Sequence, residues 1–328
     1  MRTLVLATVT LGLIVVGGNA WGYLGGHRLL AQDAPVPPPW AYPMSPPRTP
    51  SAEPAPAPDQ TEPHTLPGSD KTLTMAQIRS PFDIADWHPE GHPAMPEVVS
   101  RGRRPEVRAC GYCHYPNGKG RPENAGIAGL PAAYIVQQMA DFKSGARKSS
   151  EPRMVPPNLM VDVAKAATDE EVQIAAEYFA SLPWTPWITV VKATSVPKTT
   201  VMGGMIVPEA GTELLGQRII EMPMDAERAE VLRDAAASFV AYVPVGSIEK
   251  GETLVTTGGA KTISCSVCHG ENLEGVGSVP PLRGRSPSYT VRQLFDIQQG
   301  NRAGFGAEQM KPVVAYTGSR VPDATDTP

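Results

Sequence analysis

The sequence predicts a mainly α protein in which one small helical domain occurs twice, with a small α+β insertion between the copies. Three observations carry this. Cys110 and Cys265 begin matching motifs that set a fixed offset of 155 residues. Each copy holds a segment of helical period closed by glycine. A stretch rich in Val, Thr and Ile, punctuated by Gly and Pro, separates the two.

In chain order, "MRTLVLATVTLGLIVVGGNA" opens with a positive charge at Arg2, an apolar run from Leu4 to Val16, and small residues at Gly18 and Ala20. This predicts an export signal over residues 1–20. The alternative is an uncleaved membrane anchor, since the apolar stretch extends through Trp21 and Leu24. In both readings Arg2 stays inside and the rest faces the periplasm. Residues 21–72 hold many of the 36 prolines among the 328 residues, most densely between Pro35 and Pro67. So few large aliphatics there predict an extended, disordered linker. The first repeat domain is expected over 73–185, the insertion over 186–245 and the second repeat domain over 246–328.

"CGYCH" from Cys110 to His114 and "CSVCH" from Cys265 to His269 use all four cysteines of the chain. Two thiols three positions apart can each add to one vinyl group of a haem while the adjacent histidine turns under the iron. The pattern therefore reads as covalent attachment of two haem c groups, through Cys110 and Cys113 in the first copy and Cys265 and Cys268 in the second. Other chemistries fit less well. A thioredoxin-type redox pair belongs at a helix start in a βαβ setting, which nothing nearby suggests. Zinc needs four ligands, and each copy offers three. Local disulfides would leave both flanking histidines to coincidence.

Holding the offset, Gly120 meets Gly275, Gly129 meets Gly284, Tyr134 meets Tyr289, Gln138 meets Gln293, Asp141 meets Asp296, Gly145 meets Gly300, and Arg147 meets Arg302. Two homologous domains explain this register; two independent motifs do not. "PAAYIVQQMADFKSG" and "SPSYTVRQLFDIQQG" are equivalent helices, with Met139 and Leu294 as matching core positions. "DEEVQIAAEYFASL", after Thr168, is an amphipathic helix with acidic residues in its first turn. In the insertion, "PWITVVKATSVPKTTVMGGMIVP" predicts a pair of strands and "DAERAEVLRDAAASFVAYV" a helix. A net charge of −4 sets no basic face for nucleic acid, and no phosphate loop or nucleophile elbow occurs. The run "RGRRPEVR" from Arg101 to Arg108 is locally basic. It could steer an acidic partner, or be a solvated loop.

These residues, above all "GIAGLPAAYIVQQMADFKSGARK" with the two C-x-x-C-H motifs, resemble the tandem di-haem c-type cytochromes of the c-four type, built from two class I cytochrome c domains. The resemblance covers about 96–182 and 246–312. It implies a one-electron carrier in a periplasmic respiratory chain, with a dehydrogenase or cytochrome complex as donor and a terminal oxidase as acceptor. It also implies His/Met ligation of each iron, with His114 and His269 as the proximal ligands. Met310 is the one candidate in the second copy. In the first copy Met160, eight residues before Thr168, has the spacing of the family's ligand. Met154 is the alternative, because like Met310 it precedes a proline by one residue. In the family a proline of P-x-L-x-G offers its carbonyl to the proximal imidazole. Pro280 fits that pattern, and Ala125 stands in its place in the first copy. The helix that should follow Met310 is missing from the sequence pattern. Catalysis is not expected, and two further readings remain: a cytochrome subunit of a membrane-associated dehydrogenase or oxidase complex, and a di-haem peroxidase, which needs one iron open to peroxide.

Overall fold

The computed structural model describes residues 35–45 and 59–302; the export segment 1–20, Met310 and everything after residue 302 lie outside the described residues. Among the described residues no helix is long and apolar enough to cross a membrane.

The proline-rich stretch is the first departure from expectation. An antiparallel hairpin of β1 (Pro63–Thr65) and β2 (Thr72–Thr74) runs directly into α1 (Met75–Ile78). Thr74 and Gln77 close a reciprocal capping box on that helix. Leu66, Met75, Ile78 and Trp87 bury one another together with Leu232 of the insertion. Upstream, Ala41 and Tyr42 are buried against Met154 and, from the second copy, Phe295 and Val291. The Tyr42 hydroxyl donates to Asp296 Oδ1 at 2.7 Å, and Arg292 Nη1 donates back to the Ala41 carbonyl at 2.7 Å. Two anchors explain the order: Tyr42 and Leu66 supply apolar area, and the flanking prolines leave less chain entropy to lose on docking.

Burial and the Asp296 carboxylate push the Tyr42 phenol well above its ordinary pKa, so it remains a donor. Tyr42→Phe removes a hydrogen bond to a buried carboxylate and is expected to cost about 1.5–3 kcal/mol. Urea unfolding checks this. An unchanged midpoint would mean that the strap carries no stability.

The first copy is all helix: α2 (Glu97–Ser100), α3 (Cys110–His114), α4 (Ala132–Ser144), α5 (Val155–Ala166) and α6 (Asp169–Ser181). Helix α6 starts where its sequence predicts, with Thr168 Oγ1 accepting from the Glu171 amide at 3.1 Å and the Glu171 carboxylate returning the bond to the Thr168 amide. Its apolar face supplies Ala175, Tyr178 and Phe179 to a core that includes Val98, Val99, Val107, Ala128 and Leu182.

The insertion is built of strands. β3 (Ile188–Ala193), β4 (Ser195–Met202) and β5 (Met205–Leu214) are followed by β6 (Ile220–Pro223) and β7 (Phe239–Pro244). β4 and β5 form an antiparallel hairpin that turns at Gly203–Gly204, so the segment expected to hold a pair of strands holds β3, β4 and the start of β5. β3 instead pairs in parallel with β7, which pairs antiparallel with β6. The helix expected across 225–243 is therefore absent. Only a single π-type turn, Glu227–Val231, precedes β7. The physical reason lies in the period: Phe239, Ala241 and Val243 are buried in alternation on the sheet. Asp234 also ends the turn, accepting from the Ala236 amide and pairing with Arg228. "Mainly α" is thus not confirmed: the described residues hold three small sheets beside the helices.

The second copy follows as α7 (Ser247–Thr257), α8 (Ser266–His269) and α9 (Pro287–Gln298). Ser286 caps α9, and the buried Glu221 of β6 accepts from the Ser288 amide at 3.0 Å and from both serine hydroxyls. The insertion is thereby tied to the start of α9. The core of this copy is smaller, centred on Leu254, Val255 and Leu273.

Candidate functional site

Each C-x-x-C-H motif lies at a short helix: α3 spans the first, and Cys265 caps α8, which holds the rest of the second. All four cysteines are free thiols. Burial raises the Cys110 thiol to about 12 and moves Cys113 and Cys265 in the same direction. A redox-active pair of thioredoxin type needs the opposite shift, toward thiolate. Among the described residues no group of three or more His, Cys, Asp or Glu side chains is placed to hold a metal ion. Neither bland chemistry fits.

The two histidines are oriented alike. His114 Nδ1 lies 2.8 Å from the Ala125 carbonyl, and His269 Nδ1 lies 2.8 Å from the Pro280 carbonyl. A carbonyl only accepts, so Nδ1 carries the proton and Nε2 keeps a free lone pair. Burial lowers both imidazole pKa values, which favours that neutral form. Ala125 therefore serves as well as Pro280, at the same distance. Gly120 explains why: a Cβ there would stand 2.5 Å from the Ala125 carbonyl oxygen, and one at Gly275 would stand 2.7 Å from the Val279 oxygen. The turn can bring its carbonyl chain onto the histidine only where this position has no side chain. Phe179 of α6 packs edge-on to the His114 ring, with centroids 6.1 Å apart.

The repeat residues spaced along α4 and α9 meet across the two copies. Arg147 donates to Gln138 of its own copy and to Tyr289 and Gln293 of the other, each at 2.8 Å. Arg302 does the reverse, to Gln293 at 2.8 Å, Tyr134 at 2.5 Å and Gln138 at 3.0 Å. The offset was visible in the sequence, but nothing there showed that each arginine completes the partner copy's tyrosine and glutamine. Both guanidiniums have only neutral acceptors here, and among the described residues no carboxylate forms an ion pair with either. Positive charges so placed need an anion. The propionates of two haems would supply it, so this donor set fits the group that the cysteines and histidines imply.

The candidate sixth ligands part company. Met154, at the start of α5, is 2% exposed and packs against Ala41 and Tyr42. Met160 is half-buried in the middle of α5. Met310 lies outside the described residues. The basic run is spent locally: Arg101 and Arg104 pair with Asp83, and Arg103 pairs with Glu171 at 2.8 Å.

No family model matches the chain. It is 32% identical over 204 residues to the thiosulfate dehydrogenase electron acceptor of Thiomonas intermedia (strain K12), spanning 61% of this chain and 67% of that one. It is 29% identical over 205 residues to the protein of the same name from Stutzerimonas stutzeri (strain A1501), across 61% and 68% of the two chains. It is 24% identical over 237 residues to cytochrome c4 of Azotobacter vinelandii, across 68% and 82%.

Proposed function

We propose that this chain, which belongs to the tandem di-haem c-type cytochromes, takes electrons one at a time from a periplasmic dehydrogenase and passes them to a respiratory acceptor such as a terminal oxidase. The observation that carries this is the junction of the copies. Arg147 and Arg302 bind reciprocally across it, so two haem sites are held in one fixed relation. A single carrier with two linked sites suits a donor that releases electrons in pairs. The likeness to thiosulfate dehydrogenase electron acceptors favours a dehydrogenase that oxidises a reduced sulfur compound.

Bound haem supplies reversible one-electron exchange at iron. The chain's own residues do the rest. Cys110, Cys113, Cys265 and Cys268 hold the macrocycles; His114 and His269, oriented by Ala125 and Pro280, present Nε2. Met160 and Met310 are proposed as the residues that would complete the iron ligation. The packing of Met154 against Ala41 and Tyr42 supports Met160, with Met154 as the alternative.

The test mixes the oxidised di-haem protein with a purified thiosulfate dehydrogenase and thiosulfate, and follows the haem α band. Reduction by two electrons per chain, strictly dependent on the dehydrogenase, is the expected result. A spectrum that stays oxidised would remove that donor class. Co-elution with a dehydrogenase on size exclusion of native extract would instead favour the permanent-subunit reading.

A further inference from the structure

Arg233 belongs to the insertion in sequence and to the first attachment loop in space. It is 9% exposed, and its φ of 52° places a non-glycine residue in the left-handed region. Such strain persists where surrounding contacts enforce it. Its guanidinium donates to the carbonyl of Tyr112, the residue just before Cys113. It also stacks 4.2 Å from the centroid of the Tyr112 ring and 5.8 Å from that of Tyr115.

The residues around it are built onto the same loop. The Ala229 carbonyl accepts from the Tyr115 hydroxyl at 3.5 Å, and the Ala235 carbonyl accepts from Asn117 Nδ2 at 2.7 Å. Glu230 pairs with Arg121 at 2.7 Å and with Arg79 at 3.3 Å. Asp234, the nearest carboxylate in sequence, is taken by Arg228 and His88. Among the described residues no carboxylate forms an ion pair with Arg233. Its charge is therefore left facing the loop.

The second copy lacks this cover. Val267 stands where Tyr112 stands and is 73% exposed; Val276 stands where Arg121 stands and is 58% exposed.

We propose that Arg233 is a positioning residue for the first haem, a buried cation fixed to its attachment loop that raises the reduction potential of that haem and not of the second. Ferric haem carries one more positive charge than ferrous haem. A cation held in a low-dielectric site beside it therefore favours the reduced form. The proposal rests on the di-haem reading above and adds an electrostatic difference between the two sites.

The test is an equilibrium redox titration of the full di-haem chain, with each midpoint assigned using a variant in which the other copy's cysteines are serine. Arg233→Gln is expected to shift the first midpoint downward and leave the second in place, with two haems per chain retained. Arg233→Lys, which keeps the charge, should restore most of the shift. If the Gln variant fails to mature, Arg233→Met keeps the apolar stem over Tyr112 and makes the same comparison. An unchanged first midpoint, or an equal shift in the charged and neutral variants, would overturn the proposal. So would loss of the first haem in both neutral variants, which would make the residue purely structural. Fewer than two haems on the unmodified chain would fail the parent reading instead.

Discussion

Replacing Cys265 and Cys268 together by serine is expected to leave one covalently bound haem per chain where the unmodified protein holds two. A serine hydroxyl does not form the thioether, so the second macrocycle loses both covalent links, while Cys110 and Cys113 are untouched. The first copy should survive because its core, from Val98 to Leu182, is assembled without residues of the second. Haem staining after denaturing electrophoresis, with pyridine-haemochrome quantitation, reads the result. Two haems remaining would refute attachment through these thiols. None remaining would show that the copies mature only together, through contacts such as Arg147 with Tyr289 and Gln293.

Met160→Ala is expected to abolish the sulfur-to-iron charge-transfer band of the first haem and to lower its midpoint potential, because a neutral thioether favours ferrous iron. Met154→Ala should leave that band intact and lower stability by about 2–5 kcal/mol, the range for truncating a fully buried methionine. Its side chain is packed under Ala41 and Tyr42. The two variants thus separate ligand from packing by different instruments, near-infrared absorption and denaturant titration. Loss of the band in Met154→Ala alone would move the ligand to Met154.

The strap and the insertion depart from their sequence expectations for related reasons. Composition predicts a disordered linker from Pro35 to Pro67 because it counts apolar residues and does not show that Tyr42 finds Asp296, 254 positions away. In "DAERAEVLRDAAASFVAYV" the alanine-rich first half favours a helix by propensity. The alternation of Phe239, Ala241 and Val243 was legible, and it prevailed because β3 offers a partner strand. Arg233 carried no sequence signal of its role; no spacing links it to Tyr112.

By itself the sequence determined what is local or repeated. The two C-x-x-C-H motifs, the 155-residue offset and the Thr168 cap of α6 depend on neighbours within a few residues, or on comparison of one copy with the other. The tertiary structure decided what depends on distant partners: that Tyr42 reaches Asp296, that β3 pairs with β7, and which arginine meets which copy. The physical reason is range. Helix caps and turns are settled by torsions and short hydrogen bonds. A buried charge such as Arg147, Arg302 or Arg233 acquires its role only when folding removes water and leaves a particular acceptor within reach.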